Sequence, residues 1–335
     1  NLLSITIFLL PSALFFNLNL LKKVSSIGFI LLTLLILYIY GNFTINQNEK
    51  YLTSVSQKFN VKVVSPNFPL KYGLTIDQIE KRLSKLIRYS EPDKNLKTLF
   101  IWPEGVFSGY AFNEILTIKE EVNKNFGDSH FILFGINIFD ENKNGFYNSL
   151  VLVNNKLEII QEYRKQKLVP FGEFLPFENT MNKLGLKKIT EGHGSFISGN
   201  EQKNLTLDNL NILPLICYEV IFTELIQKSH EDTNLIINIS EDGWFGNSIG
   251  PFQHFSKAIF RAIEQNSFLI RSANKGVSAI INNKGEVIKE LSIKESGNIE
   301  LDVPIIKSNK KNKNDLIFLI LLFTYILFFK FAKKN

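Results

Sequence analysis

Cysteine is nearly absent. Cys217 is the only one in 335 residues, which excludes an internal disulfide and any paired-thiol metal or redox site within the chain. That leaves two uses for the thiol: packing as a small apolar side chain, or reacting as a nucleophile. Histidine is scarce as well, at four scattered positions with no metal-ligand spacing, so no metal is expected. His254 accordingly reads as a packed helix residue rather than a ligand or base. Neither an internal repeat nor a low-complexity tract is present. The formal charge is +6, yet no basic stripe is interleaved with stacking aromatics, and nucleic acid is not an expected partner.

Long apolar runs are present, and they lie at the two ends. Ser25 to Tyr40 carries no charge, and Val24 and Gly41 extend it to about the minimum that a tilted helix needs to cross hydrocarbon. Leu316 to Phe329 is equally apolar between Asp315 and Lys330. With Phe331 and Ala332, and with Lys330 snorkelling toward the headgroups, it reads as a second membrane helix at 315–332. Residues 1–20 are also mostly apolar, and the chain starts on Asn1 inside that run. The expectation is a membrane domain cut inside a hydrophobic segment. A cleaved signal peptide fits less well, since Tyr38-Ile39-Tyr40-Gly41 is a poor small-residue cleavage site. The expected division is therefore 1–43 membrane segments, 44–305 a single globular domain, and 306–335 a basic linker with a C-terminal membrane helix. Lys22 and Lys23 before the first span, with Lys330, Lys333 and Lys334 after the last, place the outer ends in the cytoplasm; Lys307, Lys310, Lys311 and Lys313 pull the other way.

Between the ends, strand-length apolar runs alternate with helical patterns. Val61–Val64 is followed by 75–89, where Ile76, Ile79, Leu83, Leu86 and Ile87 share one face. Thr98–Trp102 is the next strand and 113–125 the next helical stretch. Strands are expected at 131–137, 148–153 and 157–163, then at 211–217 and 235–239 with a helix at 221–230 between them. Pro251 opens a helix to about Asn266, followed by strands at 268–272 and 277–282 and a turn at Lys284-Gly285. Several neighbouring strands are joined by turns too short for a crossover helix, so the class is α/β with mixed pairing.

Three expected strand ends carry reactive groups: Glu104 after Trp102-Pro103, Lys165 after the 157–163 strand, and Cys217. Strand ends are where α/β folds gather catalytic side chains, because the sheet fixes position while the loops vary. The three residue types also suit one another. A thiol needs a base, an acyl transfer needs positive charge near its oxyanion, and a leaving group needs a proton. Each has a plainer alternative, Glu104 as a helix cap and Lys165 as part of a solvated basic run.

The surrounding words narrow the choice. Trp102-Pro103-Glu104, the run from Tyr163 to Pro176 containing Lys165, Pro170, Gly172 and Glu173, and Cys217-Tyr218-Glu219 resemble the carbon–nitrogen hydrolase (nitrilase) superfamily. The resemblance covers about residues 60–303. It continues through 238–246 and 250–254 and ends with 261–264 and 271–277; within the superfamily it is to the membrane-bound apolipoprotein N-acyltransferase family. What the resemblance implies is a four-layer α-β-β-α sandwich flanked by transmembrane helices. It also implies Glu104 as general base, Lys165 as oxyanion lysine and Cys217 as nucleophile, with Glu173, Tyr218 and Glu219 supporting them. No cofactor is implied. The implied partners are a phospholipid acyl donor, a diacylated apolipoprotein acceptor and a bacterial inner membrane, with the catalytic domain on its outer face.

One departure concerns the loop after the first strand, where the family commonly has tryptophan and this chain has Lys71-Tyr72. Tyr72 thus becomes a candidate substrate contact, as do Trp244 and Phe245, which can fill core or line an acyl pocket. The apolar stretch with Phe174, Leu175, Phe177, Met181, Leu184 and Leu186 is either a buried satellite cluster or a membrane-facing lid, with Phe177 and Met181 its candidate contacts. Two other functions use the same sequence: a membrane-tethered amidase or nitrilase with water as second nucleophile, and a non-catalytic anchored interaction domain.

Overall fold

The computed structural model describes residues 19–53, 55, 57–183, 185, 194–201, 203–227 and 232–306, together with 319, 322, 323, 326, 327 and 330. The apolar run of residues 1–18, Leu184, Leu186 and nearly all of the basic linker and expected C-terminal span lie outside these residues. Packing separates the chain into two units, the larger being Asn48–Asn309.

Helix α1, Leu20–Thr53, contains the run expected to span a membrane. Among the described residues it is the one helix long and apolar enough to cross a bilayer, over Leu20–Leu52. Its last residues belong to the larger unit. There Asn48 donates through Nδ2 to the carbonyls of Ile263 and Asn283 at 3.0 and 2.8 Å, and Asn283 donates back to the Asn48 carbonyl at 2.6 Å.

The larger unit holds two six-stranded sheets. The first contains β1 (Lys58–Ser65), β2 (Thr98–Ile101), β3 (His130–Asp140), β4 (Gly145–Asn154) and β5 (Ile159–Arg164), and is completed by β12 (Gly297–Pro304) in the order β12-β1-β2-β3-β4-β5. The second contains β6 (Leu205–Leu207), β7 (Leu210–Ile216), β8 (Leu235–Glu241), β9 (Phe268–Asn274), β10 (Ser278–Ile281) and β11 (Val287–Leu291), in the order β11-β10-β9-β8-β7-β6. Each sheet has a parallel centre, β1-β2-β3 in one and β7-β8-β9 in the other, with antiparallel strands outside it. Parallel centres bring several strand carboxyl ends to one edge, which is the geometry a cleft requires.

Side-chain alternation builds the layers. Val61, Val63, Leu99 and Ile101 of the first sheet face Ile212, Ile216, Ile237, Ile239 and Ile270 of the second, forming the core between the sheets. The opposite face of the first sheet, with Phe100, Trp102, Ile132 and Phe134, packs on helix α2 (Ile76–Ser90) through Ile79, Leu83 and Leu86. It also packs on the short helix α3 (Lys119–Asn125) through Val122. The outer face of the second sheet meets α5 (Thr223–Gln227) and α6 (Gly250–Gln265), the latter through Ala258 and Ala262. The result is an α-β-β-α sandwich, as expected, with α4 (Glu178–Lys183) in the connection between β5 and β6.

Local signals explain most element ends. Thr75 caps α2 with a reciprocal capping box to Gln78, and Pro251 sits in the first turn of α6. Three expectations change, the first being the helix expected at 221–230, which is α-helical over Thr223–Gln227 while 228–230 lie outside the described residues. The helix expected at 113–125 begins as a 3-10 turn over Phe112–Ile118 and becomes α-helical only from Lys119. Strands β6, β11 and β12 were not expected. Most of β11 is exposed and carries no burial pattern, whereas β12 alternates Ile299, Leu301 and Val303 with polar residues, a signal that does mark a strand.

Candidate active site

Glu104 lies in the turn after β2. Arg82 of α2 fixes that turn, donating to the carbonyls of Gly105 at 3.3 Å and Val106 at 2.9 Å, and also to Pro69 at 2.9 Å. Gly105 has φ of 73°, and a Cβ there would stand 3.1 Å from Glu241 Oε2, so both the backbone conformation and the space favour glycine. The Glu104 carboxylate is held at both oxygens. Oε1 accepts from Asn148 Nδ2 at 2.8 Å and Oε2 from the backbone N–H of Glu241 at 3.0 Å.

Lys165 is the residue after β5. Its backbone continues the sheet, donating to the Asn148 carbonyl at 2.9 Å and accepting from Gly199 at 2.7 Å. The side chain is 1% exposed; its Nζ is 2.8 Å from Glu173 Oε1 and 3.7 Å from Glu104 Oε1. Burial by itself would lower the proton affinity of this ammonium, but Glu173 and then Glu104 outweigh it, and the net shift is upward. Lys165 is therefore a fixed positive charge. Glu173 is itself tied down, since Asn148 donates to Oε1 at 2.7 Å and the Val169 N–H donates to Oε2 at 2.8 Å.

Cys217 stands one residue beyond β7, at the start of a 3-10 turn, with φ of 51°. A non-glycine residue in the left-handed region is uncommon and needs support from its surroundings. Here the support is substantial. Glu219, fully buried, accepts from the Ile216 N–H at 2.9 Å, from Tyr163 Oη at 3.0 Å, and from the N–H groups of Gln166 and Lys167 at 2.7 and 3.1 Å. One carboxyl thus ties the Cys217 turn to the segment that follows Lys165. Burial raises the proton affinity of Glu219 against those bonds.

Behind Cys217 lies a buried polar network. Its carbonyl accepts from His254 Nε2 at 3.1 Å, and His254 Nδ1 lies 2.9 Å from Asp242 Oδ1. Arg271 pairs with Asp242 Oδ2 at 2.7 Å and bonds Asn238, whose Nδ2 donates to the Leu215 carbonyl at 3.0 Å. His254 is a packed helix residue, and in addition it touches the backbone of the candidate nucleophile.

These groups surround one cavity of about 480 Å³, lined by Glu104, Lys165, Glu173, Cys217, Tyr218 and Glu241 and by apolar side chains. Tyr72, Trp244 and Phe245 also line it, with the Tyr72 and Trp244 rings 5.8 Å apart. Phe177 and Met181 do not line it; Phe177 is 81% exposed just before α4. Burial, reinforced by Glu104 and opposed by Lys165, pushes the Cys217 thiol well above its usual range, so the resting group is the neutral thiol. The arrangement can therefore move a proton from Cys217 to Glu104 while Lys165 remains charged beside the reacting carbonyl. Among the described residues no group of three metal-ligating side chains is present.

Sequence reading missed Asn148, Glu241 and Asn274. Asn148 bridges Glu104 and Glu173 from the middle of the first sheet, and no local spacing announces such a role. Glu241 lies inside the 238–246 stretch without any role assigned to it there, and only the third dimension brings it beside Glu104.

A carbon–nitrogen hydrolase family model matches residues 78–307. The apolipoprotein N-acyltransferase of Rhodopseudomonas palustris is 35% identical over 268 residues, covering 75% of this chain and 49% of its own length. That of Rickettsia typhi is 32% identical over 279 residues, covering 82% and 54%. The chain thus spans about half the length of the curated relatives it matches. Among solved structures, an amidase from Nesterenkonia sp. AN1, with the acetamide moiety of fluoroacetamide added at its active-site cysteine, is 15% identical; the match covers 78% of this chain and 97% of that one with a TM-score of 0.53. At that identity the likeness is one of fold.

Proposed function

The chain belongs to the carbon–nitrogen hydrolase family, and on that premise we propose that it is an N-acyltransferase moving an acyl chain from a phospholipid, through a Cys217 thioester, to the N-terminal amine of a diacylglyceryl-cysteine. The observation that carries this reading is the convergence of Glu104, Lys165 and Cys217 on one cavity whose other walls include Leu70, Phe107, Phe196, Trp244 and Phe245. An acyl chain needs such walls, whereas a small amide does not.

In the first half-reaction Glu104 takes the thiol proton as Sγ attacks the ester carbonyl, and returns it to the departing glycerol oxygen. Lys165 Nζ and the backbone N–H of Tyr218, in the turn that begins at Cys217, stabilise the developing oxyanion. Glu173 keeps Lys165 in place, and Glu219 holds the strand end in register with the Lys165 segment. In the second half-reaction the acceptor amine attacks the thioester; an amide forms, the C–S bond breaks, and the thiol is regenerated. The greater resonance stability of the amide drives transfer, and exclusion of water protects the thioester.

Helix α1 fits a membrane anchor by length and composition. We place the enzyme in the bacterial inner membrane as a multi-pass protein with residues 44–305 on its outer face, a second anchor at 315–332, and a lid formed by the segment of Phe177 and Met181. Intact-protein mass spectrometry after incubation with phospholipid tests the reading. A mass increase of one acyl group that Cys217→Ser lacks, discharged by a diacylated lipopeptide, is the expected result. Ammonia release from small amides without lipid would replace it with a tethered amidase, and no acyl capture from any donor would leave a non-catalytic domain.

A further inference from the structure

Glu241 is the one carboxyl of the cavity lining with no part in the scheme above. Glu241 closes β8, lines the same cavity as Cys217, and is 5% exposed. Its oxygens accept from the Gly243 N–H at 2.9 Å and Asn274 Nδ2 at 2.7 Å, which fixes the carboxyl but leaves a lone pair on each oxygen. Asn274 is clamped in turn, donating to the Phe68 carbonyl at 3.0 Å and accepting from the Phe68 N–H at 2.7 Å. The charged groups acting on Glu241 are Glu104, Asp242 and Arg82; Lys275 packs beside Gly243, and Lys165, Glu173 and His254 share the cavity lining. Among the described residues no cation lies within ion-pair distance of it.

The charge balance of the cavity sharpens the point. Its lining includes the carboxyls of Glu104, Glu173 and, when ionised, Glu241, with the His254 imidazole, against one ammonium, Lys165, which Glu173 already neutralises at 2.8 Å. A cavity so composed attracts cations. The proposed acceptor is one, because a free α-amine is largely protonated near neutral pH and cannot attack until it loses a proton. Resting on the acyltransferase reading, the geometry points to Glu241 as the group that binds the acceptor's ammonium and takes its proton before attack.

The step balances. The ammonium gives one proton to a Glu241 oxygen and becomes the neutral amine. The amine nitrogen then bonds the thioester carbon, the C–S bond breaks, and the second nitrogen proton passes through Glu104 to the thiolate. Glu241 afterwards releases its proton to solvent. Burial, with Glu104 and Asp242 adding to it and the Asn274 and Gly243 bonds opposing, pushes the Glu241 carboxyl up to about 8. An α-amine has a pKa of about 7.7–8.0. The raised carboxyl is thus nearer to the amine in proton affinity than an ordinary glutamate is, which lowers the cost of the transfer.

Two half-reactions and two acceptors separate this role from a structural one. In Glu241→Gln, transfer to a diacylated lipopeptide should fall by at least about tenfold. Acylation of Cys217 by a short-chain ester, and discharge of the thioester by hydroxylamine, which is neutral near pH 7, should stay within about twofold of the native protein. Equal loss with both acceptors, or no loss with either, overturns the assignment. On the native protein, a lipopeptide analogue with a permanent trimethylammonium at its N-terminus should inhibit more tightly as pH rises from 7 to 9, relative to an N-acetylated analogue. A flat ratio overturns the assignment even if Glu241→Gln cannot be obtained folded. If no ester acylates Cys217 in the native protein, the acyltransferase reading fails and Glu241 falls with it; acylation without the acceptor difference removes Glu241 alone.

Discussion

The two sides of Cys217 treat charge in opposite ways. On the cavity side, carboxyl groups outnumber cations, Glu241 is pushed up to about 8, and the thiol is held protonated by burial and by Glu104. On the far side, Asp242, Arg271 and Asn238 form a buried set joined to the cavity wall through His254, with Arg271 and Asp242 both 0% exposed and paired at 2.7 Å. Burial alone would raise the Asp242 carboxyl, but Arg271 and His254 reverse this and hold it down at about 2. Packing is equally tight there, since a Cβ at Gly276 would overlap the Asp242 carboxylate. On the proposed scheme protons move at the front, while paired buried charges hold the back. On the proposed chemistry the left-handed turn at Cys217 needs both, because its side chain would react while its backbone stays in a conformation few residues adopt.

The largest expected effects test the front. Cys217→Ser should abolish acyl transfer without unfolding the protein, because serine is a far poorer nucleophile and changes little volume. Glu104→Gln should lower thioester formation by about two to four orders of magnitude. Both are read by intact-protein mass spectrometry with phospholipid, alongside a thermal melt. Native acylation rates in either variant would remove the distinction between the two sides.

Arg271→Met should show the reverse signature. It strands Asp242 in a dry site, and losing one partner of a buried pair costs about 3–5 kcal/mol, so the melting temperature should drop sharply. A variant as stable as the native protein would mean that the back is not held by paired charges. The same unit predicts a pH effect. Asp242 is lowered from 3.8 to about 2; a depressed carboxylate stabilises the fold above its unfolded pKa and loses that stabilisation as pH falls through the folded value. Its contribution, about 2 kcal/mol, should therefore disappear between about pH 4 and 2. Denaturant melts of native protein and Arg271→Met across that window measure it, and the variant should show the smaller acid loss.

How far the sequence shows this division depends on the range of the contacts. Cys217, Glu104 and Lys165 can be read because each follows an apolar strand and sits in a distinctive local word. Glu219 is legible for the same reason. Glu241 and Asn148 are not, since their significance comes from hydrogen bonds to Glu104 that cross 137 and 44 positions of chain. His254 lies between these cases. Its helix and burial follow from local periodicity, but its contact with the Cys217 carbonyl spans 37 positions and depends on how α6 packs against the second sheet. The layers themselves follow from alternating apolar residues, which is why an exposed strand such as β11 escapes notice.

The smallest expected effect concerns a segment on neither side. Phe177, with φ of 51° and 81% exposed, and Met181 in α4 lie in the connection that follows Glu173, outside the cavity lining. An exposed phenylalanine is common on soluble proteins, so its exposure alone decides nothing. Its place in the chain makes it testable. The segment begins within a few residues of Glu173, so a movement that admits a bilayer lipid can occur there while the charges behind Cys217 stay fixed. Replacing Phe177 and Met181 with serine should slow Cys217 acylation from bilayer phospholipid several-fold, while acylation by a short-chain, water-soluble ester and the melting temperature stay unchanged. Both donors share every step after entry, so only access can separate them. Equal losses with both donors would make the segment ordinary support for the Glu173 loop, and the lid would then have to be sought among the exposed aromatic groups Trp244 and Phe245 at the cavity itself.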